Sequence, residues 1–215
     1  MVDLASIKEA VITGKTKEIG QLVQTALDAG ADPQNIIDNY LIEAMKEVGA
    51  RFEANQIFVP EMMIAARTMQ NGLIVIEPLI TGDGIQLEKL GTVVIGTVLG
   101  DLHDIGKNLV VLMLESSGFN VIDIGVSVPV DTFVEKAKEV NANIVGISSL
   151  LTTGDANMKT TVTALKNSSL PDGVKVICGG AAVIEERALN HWGADGYAQD
   201  AASAGRIIRD LLCID

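Results

Sequence analysis

From Thr92 onward the chain alternates short β-branched runs with amphipathic stretches, five of each, and few architectures accept that grammar. The runs lie at 92–98, 121–124, 144–148, 174–178 and, weakly, at Gly196-Tyr197. Helical patterns separate and follow them at about 104–117, 131–140, 155–167, 184–191 and 200–212. Strands joined by helical crossovers must run parallel, and near-continuous apolar runs must be covered on both faces. The pattern predicts a doubly wound five-stranded parallel sheet over residues 92–215, with strand order 2-1-3-4-5.

Residues 1–91 follow a different period. Ile7, Ala10, Val11, Ile19, Leu22, Val23, Ala26 and Leu27 recur at three- and four-residue spacings, broken at Thr13-Gly14 and Ala29-Gly30-Ala31. Asp32 before Pro33 reads as an N-cap with proline at the first helical position. An apolar stripe then continues to Phe52, and Pro60 opens a fourth segment through Met62, Met63, Ala66, Met69, Leu73 and Ile76. Four helices with short connections predict an antiparallel bundle, with a seam and plausible hinge at Thr81-Gly82-Asp83-Gly84. Only seven aromatic residues are present, so both cores must be aliphatic.

Composition narrows the function classes. The net charge is −12, with the acidic excess shared by both halves, which argues against nucleic acid as a partner. The longest uncharged stretch, residues 140–154, has 15 residues and six polar side chains, too short and too polar to span a bilayer. With no secretory signal pattern at the start, a cytoplasmic location is expected. Cys178 and Cys213 make neither a disulfide framework nor a zinc site with the two histidines.

In an open parallel sheet, ligands lie beyond the carboxyl ends of the strands where strand order reverses, here between the first and third. Three polar or glycine-rich segments gather at that edge. They are Gly100-Asp101-Leu102-His103-Asp104-Ile105-Gly106 after strand one, residues 148–154 after strand three, and Gly179-Gly180 after strand four. A large ligand is implied. Asp101 stands two residues before His103, and a carboxylate that holds one ring N–H leaves the other nitrogen for a metal. One protein ligand makes a metal site only if a macrocycle brings the equatorial donors.

The pattern Asp101-x-His103-x-x-Gly106, then 41 residues to Ser148-x-Leu150, then 28 residues to Gly179-Gly180, resembles the cobalamin-binding motif of B12-dependent methyltransferases and mutases. With the bundle before it, and Phe58-Val59-Pro60-Glu61-Met62-Met63 within that bundle, the chain is similar to the cap and B12 domains of methionine synthase. It is more similar to the small corrinoid proteins of methylamine and methanol methyl-transfer systems.

The resemblance implies a Rossmann-like, flavodoxin-like B12-binding domain carrying a cobamide in its methylcobamide form. His103 would be the axial cobalt ligand, with Asp101 hydrogen-bonded to it. Gly106 would let the backbone approach the corrin. Gly179 and Gly180 would leave room for the displaced nucleotide tail, Ser148 would contact its base, Leu150 belongs to the same cofactor-binding motif, and Phe58, Met62 and Met69 would lie on the upper side of the corrin. The partners implied are a substrate-specific methyltransferase, a corrinoid-to-acceptor methyltransferase passing the methyl group to coenzyme M or a folate, and a reductive activase.

One departure stands out. In methionine synthase the pair is extended by a serine hydroxyl six residues beyond the first serine of the second motif, and here that position is Gly154, with Thr152 and Thr153 close by. Rival readings are a mutase small subunit, a B12-binding sensor and, outside the B12 class, a receiver-like regulator, which leaves the His103 segment unexplained.

Overall fold

The computed structural model describes residues 3–82, 89–171 and 173–214. The chain divides into two compact units, Met1–Glu88 with Ser116–Gly118, and Lys89–Glu115 with Phe119–Asp215. Asp83 and Gly84 of the expected seam lie outside the described residues, and the helix before them runs through Gly82.

The first unit is helical. Helix α1 spans Ala5–Ile12 and α2 spans Ile19–Asp28. The third expected helix is one continuous run that begins as α3 (Pro33–Ile36), widens into a π-helical stretch over Ile37–Ile42 and continues as α4 (Glu43–Glu53). Its start is capped as the sequence predicts, with the Asn35 amide donating to Asp32 Oδ2 at 2.8 Å. Helix α5 spans Val59–Gly82, and the Glu61 carboxylate accepts from the Phe58 amide at 2.7 Å at its entry.

Helix α5 packs against α2, α4 and α1 through a stripe of Met62, Ala65, Ala66, Met69 and Ile76, all buried. Gly72 belongs to that packing, since a Cβ there would meet Ile19 at 3.2 Å and Leu41 at 3.4 Å. Met62 and Met69 are buried among the core residues of α5, at 0% and 1% exposure. The reason is helical phase. Both fall in register with the alanines that let the helices approach, whereas Met63, one residue on and about 100° round the helix, is half exposed. Phe58, just before α5, is 68% exposed.

The second unit is the expected sheet. Strands β1 (Thr92–Thr97), β2 (Asn120–Asp123), β3 (Ile144–Ser148), β4 (Lys175–Gly179) and β5 (Gly196–Ala198) are all parallel, in the order β2-β1-β3-β4-β5. The crossovers are α6 (Ile105–Ser116), α7 (Val130–Glu139), α8 (Asp155–Asn167) and a short π-helical turn at Arg187–His191, and α9 (Ala201–Leu212) closes the unit.

Strand alternation sends Val93, Ile144 and Ile177 to one face, where they pack with Leu114 of α6 and Ala204 and Ile208 of α9. Val94, Val145 and Val176 go to the other, against Phe133 of α7 and Met158 and Val162 of α8. Aromatic side chains are few, and Phe133 on this second face is fully buried. Gly96 in β1 makes its room, because a Cβ there would lie 3.0 Å from the Phe133 ring. Burial also holds the Cys178 thiol of β4 in its neutral form, its pKa pushed up to about 12 by desolvation with the Asp195 charge adding to it. Reversal of strand order places a crevice between the ends of β1 and β3.

Candidate cofactor site

The loop leaving β1 is pinned before any ligand is considered. Gly100 takes a left-handed φ of +83°, and its amide donates to the Ser127 hydroxyl at 3.0 Å. The Ser127 amide donates in turn to the Asp101 carbonyl at 2.9 Å, and the Asn157 side chain donates to the Leu99 carbonyl at 2.7 Å. The buried Thr97 hydroxyl donates to the carbonyl of His103 at 3.0 Å. Beside the loop the buried Lys107 ammonium pairs with the Asp123 carboxylate at the end of β2 and donates to Asn108 Oδ1 at 2.7 Å.

Within this frame Asp101 is fully buried and its carboxylate is saturated with donors. Oδ1 lies 2.7 Å from His103 Nδ1 and accepts from the His103 amide at 3.0 Å. Oδ2 accepts from the Ser149 hydroxyl at 2.9 Å, the Leu150 amide at 2.7 Å and the Leu151 amide at 3.2 Å. Burial alone would raise the carboxyl's pKa. The bonds from the His103 amide and ring, the Leu150 amide and the Ser149 hydroxyl outweigh it and hold Asp101 well below the usual carboxylate range.

A fixed carboxylate at Nδ1 sets the imidazole tautomer. Nδ1 carries the proton and Nε2 presents its lone pair, on a side chain that is 52% exposed. The sequence places Asp101, His103 and Leu150 in one site, and the structure brings them together. Leu150 contributes its amide to Asp101 and leaves its side chain exposed.

The remaining positions lie at the ends of the neighbouring strands. Ser148 ends β3, half buried, paired in register with Thr97 and Gly179. It is the neighbouring Ser149, buried at 1% exposure, that reaches Asp101. Thr152 and Thr153 are exposed. The two glycines after β4 answer first to the protein itself. A Cβ on Gly180, whose φ is +108°, would fall 2.1 Å from the Ser149 carbonyl oxygen, and one on Gly179 would fall 2.9 Å from that of Ala198. Gly106 differs, since a Cβ there meets nothing within 4 Å.

Comparison with known proteins decides the cofactor. A B12 binding domain model matches residues 91–205, and a second B12 binding domain model matches residues 4–77. The chain belongs to the B12-binding corrinoid proteins. It is 42% identical over 209 residues, 97% of each chain, to a dimethylamine corrinoid protein of Methanosarcina barkeri. Among solved structures it is similar to a cobalamin-binding protein from Desulfitobacterium hafniense, with 34% identity, TM-score 0.81 and coverage of 98% of this chain and 99% of that one. It is also similar to the methanol:cobalamin methyltransferase complex MtaBC of Methanosarcina barkeri, with 28% identity, TM-score 0.85 and coverage of 98% and 79%.

The surface around His103 fits a corrinoid. No cluster of three or more His, Cys, Asp or Glu among the described residues could hold a metal alone, so the lone imidazole needs a metal that arrives already ligated. Around it stand apolar side chains without a covering: Leu102 at 71% exposure, Ile105 at 86%, and Leu99, Val126 and Leu150 above a third. Such a cluster on loops otherwise tightly hydrogen-bonded is what a flat apolar macrocycle would cover. Gly106, open where its side chain would project, leaves the close approach free. No helix among the described residues is long and apolar enough to cross a membrane.

Proposed function

We propose that this corrinoid protein is a cytoplasmic methyl carrier, serving a methylamine-specific methyltransferase as donor partner and a second methyltransferase that delivers the methyl group to coenzyme M or a folate. When bound, the cobamide supplies a cobalt centre that can accept and release a methyl group. The chain's own residues supply the lower face. His103 offers Nε2, Asp101 fixes the ring through Nδ1, and the Leu150 and Leu151 amides hold Asp101. Gly106 keeps the approach clear, Ser148 would contact the base of a displaced nucleotide tail running between β1 and β3, and Gly179 and Gly180 would leave room for that tail. A reductive activase completes the set of partners.

The observation that carries this reading is a half-exposed imidazole whose tautomer is fixed by a buried, donor-saturated carboxylate. Methylamine is preferred as donor because a dimethylamine corrinoid protein matches over 97% of both chains.

Anaerobic reconstitution with a cobamide and EPR of the cobalt(II) form test the ligation. Coupling from one axial nitrogen that shifts when histidine is labelled with ¹⁵N is expected, and His103→Ala should abolish it. Retention of the cofactor's own base on cobalt would remove the role given to His103. Methyl uptake in the presence of candidate methyltransferases, with mono-, di- and trimethylamine and methanol offered in parallel, tests the donor.

Gly106→Ala separates ligand approach from folding. The unliganded protein should keep its stability within about 1 kcal/mol, because the added methyl group meets no protein atom. Cobamide affinity should fall about tenfold or more, the cost of overpacking a close contact. Titration calorimetry on the variant reads this, and an unchanged affinity takes Gly106 out of the site.

A further inference from the structure

We propose that Ser149 supplies the hydroxyl that completes the His103–Asp101 pair, and that it does so by exchange with position 154, where only glycine leaves it room. The inference rests on the B12 reading in one respect, the role of His103 as a ligand. Its steric half stands on the protein alone.

Two segments converge on Ser149. The chain after β3 turns through a short 3₁₀ segment, Thr152–Gly154, whose end folds back as the Gly154 amide donates to the Leu151 carbonyl at 3.0 Å. That return carries buried Gly154 over the Ser149 side chain. A Cβ built on Gly154 would lie 2.4 Å from Ser149 Oγ and 3.4 Å from Ser149 Cβ. From the other side the Ser149 amide donates to the Gly179 carbonyl at 3.1 Å, and Gly180 lies against the Ser149 backbone. The Ser149 backbone is thus held in place, and its hydroxyl lies 2.9 Å from Asp101 Oδ2. The Leu151 carbonyl, at 3.3 Å, is the longer and uncharged alternative for the same proton, so the carboxylate takes it.

A side chain on residue 154 would enter the volume that this hydroxyl fills. Each position can therefore serve Asp101 only when the other is truncated, and this chain pairs serine at 149 with glycine at 154. The function follows from competition. Asp101 divides its charge between donors on Oδ1 and Oδ2. A hydroxyl on Oδ2 draws charge from the Nδ1–H···Oδ1 bond and so moderates the donor strength of Nε2.

Four proteins test the exchange: the parent chain, Ser149→Ala, Gly154→Ser, and the two substitutions combined. In the unliganded proteins, urea unfolding should show Gly154→Ser to be strongly destabilising in the parent and close to neutral beside Ser149→Ala. Equal losses in both backgrounds would overturn the steric exclusion.

In the cobamide-loaded proteins, Ser149→Ala should raise the ratio of histidine-bound to histidine-free cobalt(II), read by EPR, about tenfold, as for one hydrogen bond to a charged group. Adding Gly154→Ser should bring the ratio back towards the parent value. The cobalt(II)/cobalt(I) midpoint should move in step, about 59 mV lower for a tenfold change in a one-electron couple. A ratio within twofold of the parent in Ser149→Ala would make the serine merely structural. A parent chain that binds no cobamide overturns the B12 reading and this tuning role with it, and is recognised as such because the urea comparison still reports on the exclusion.

Discussion

Asp101→Asn should destabilise the sheet unit by about 2–4 kcal/mol at neutral pH and also remove the histidine nitrogen from cobalt. The carboxylate accepts from five donors, two on Oδ1 and three on Oδ2, in a fully buried position. An asparagine offers one oxygen and one NH₂. With the NH₂ on the Oδ2 side, two backbone amides and a hydroxyl confront a donor, and only the hydroxyl can rotate to accept.

With the NH₂ on the Oδ1 side, only the His103 amide still confronts a donor, because the His103 ring can accept at Nδ1 as its proton moves to Nε2. The less costly orientation thus yields the tautomer that cannot bind a metal. Urea unfolding at pH 7 and EPR of the loaded protein read the two losses. The sign of the pH dependence follows from the depressed pKa. The stabilising charge is present above the ordinary carboxylate range and is lost as pH falls through the lower folded value. The difference between parent and variant should therefore shrink below about pH 4. A difference independent of pH would mean that the carboxyl's charge does not contribute.

Gly180→Ala should be at least as damaging, at about 4 kcal/mol or more. At a φ of +108° an L side chain is strained in its own backbone, and its Cβ would sit 2.1 Å from the Ser149 carbonyl oxygen. That oxygen belongs to a backbone held by the bond from the Ser149 amide to Gly179, so it cannot give way as a flexible side chain would. Any shift carries Ser149 away from Asp101, and weakened histidine ligation should accompany the lost stability. A loss below about 1 kcal/mol would show that the two loops do not approach this closely in solution.

Comparison of these residues with the linear pattern shows which features a sequence can express. Strand order and crossovers are legible because parallel strands covered on both faces leave long apolar runs, and helices of about a dozen residues between them leave little choice. Asp101 and His103 are legible because they are local, two residues apart on one loop.

Ser149 is not local. Its neighbour Ser148 is the same residue type, and the strand ends between them, so alternation no longer tells which hydroxyl turns towards β1. The available signal was a missing hydroxyl at Gly154 beside a spare one at 149. Gly180 reads as an ordinary turn glycine until the backbone of another loop is seen against it. Met62 and Met69 show an ambiguity of another kind. A methionine stripe serves a bundle core as readily as a cofactor surface, and burial in phase with Ala65 and Ala66 is a fact of the fold that the linear pattern does not express.

The dependence of Asp101 on the chain after β3 has a consequence for the order of assembly. Residues 149–151, nearly fifty positions downstream, provide three of its five donors. Strand β2 and two helices intervene in sequence, yet β1 pairs with β3 on its other edge. A nascent or partly folded chain with β1, α6 and β2 in place already contains the whole Asp101–His103 segment but not the partners that hold its carboxylate. If His103 is the ligand proposed above, cofactor capture through an oriented imidazole would wait for a long-range closure that forms late relative to the local β1–β2 contact. Loading would then be coupled to completion of the sheet, and the bound cofactor would in turn hold that closure shut.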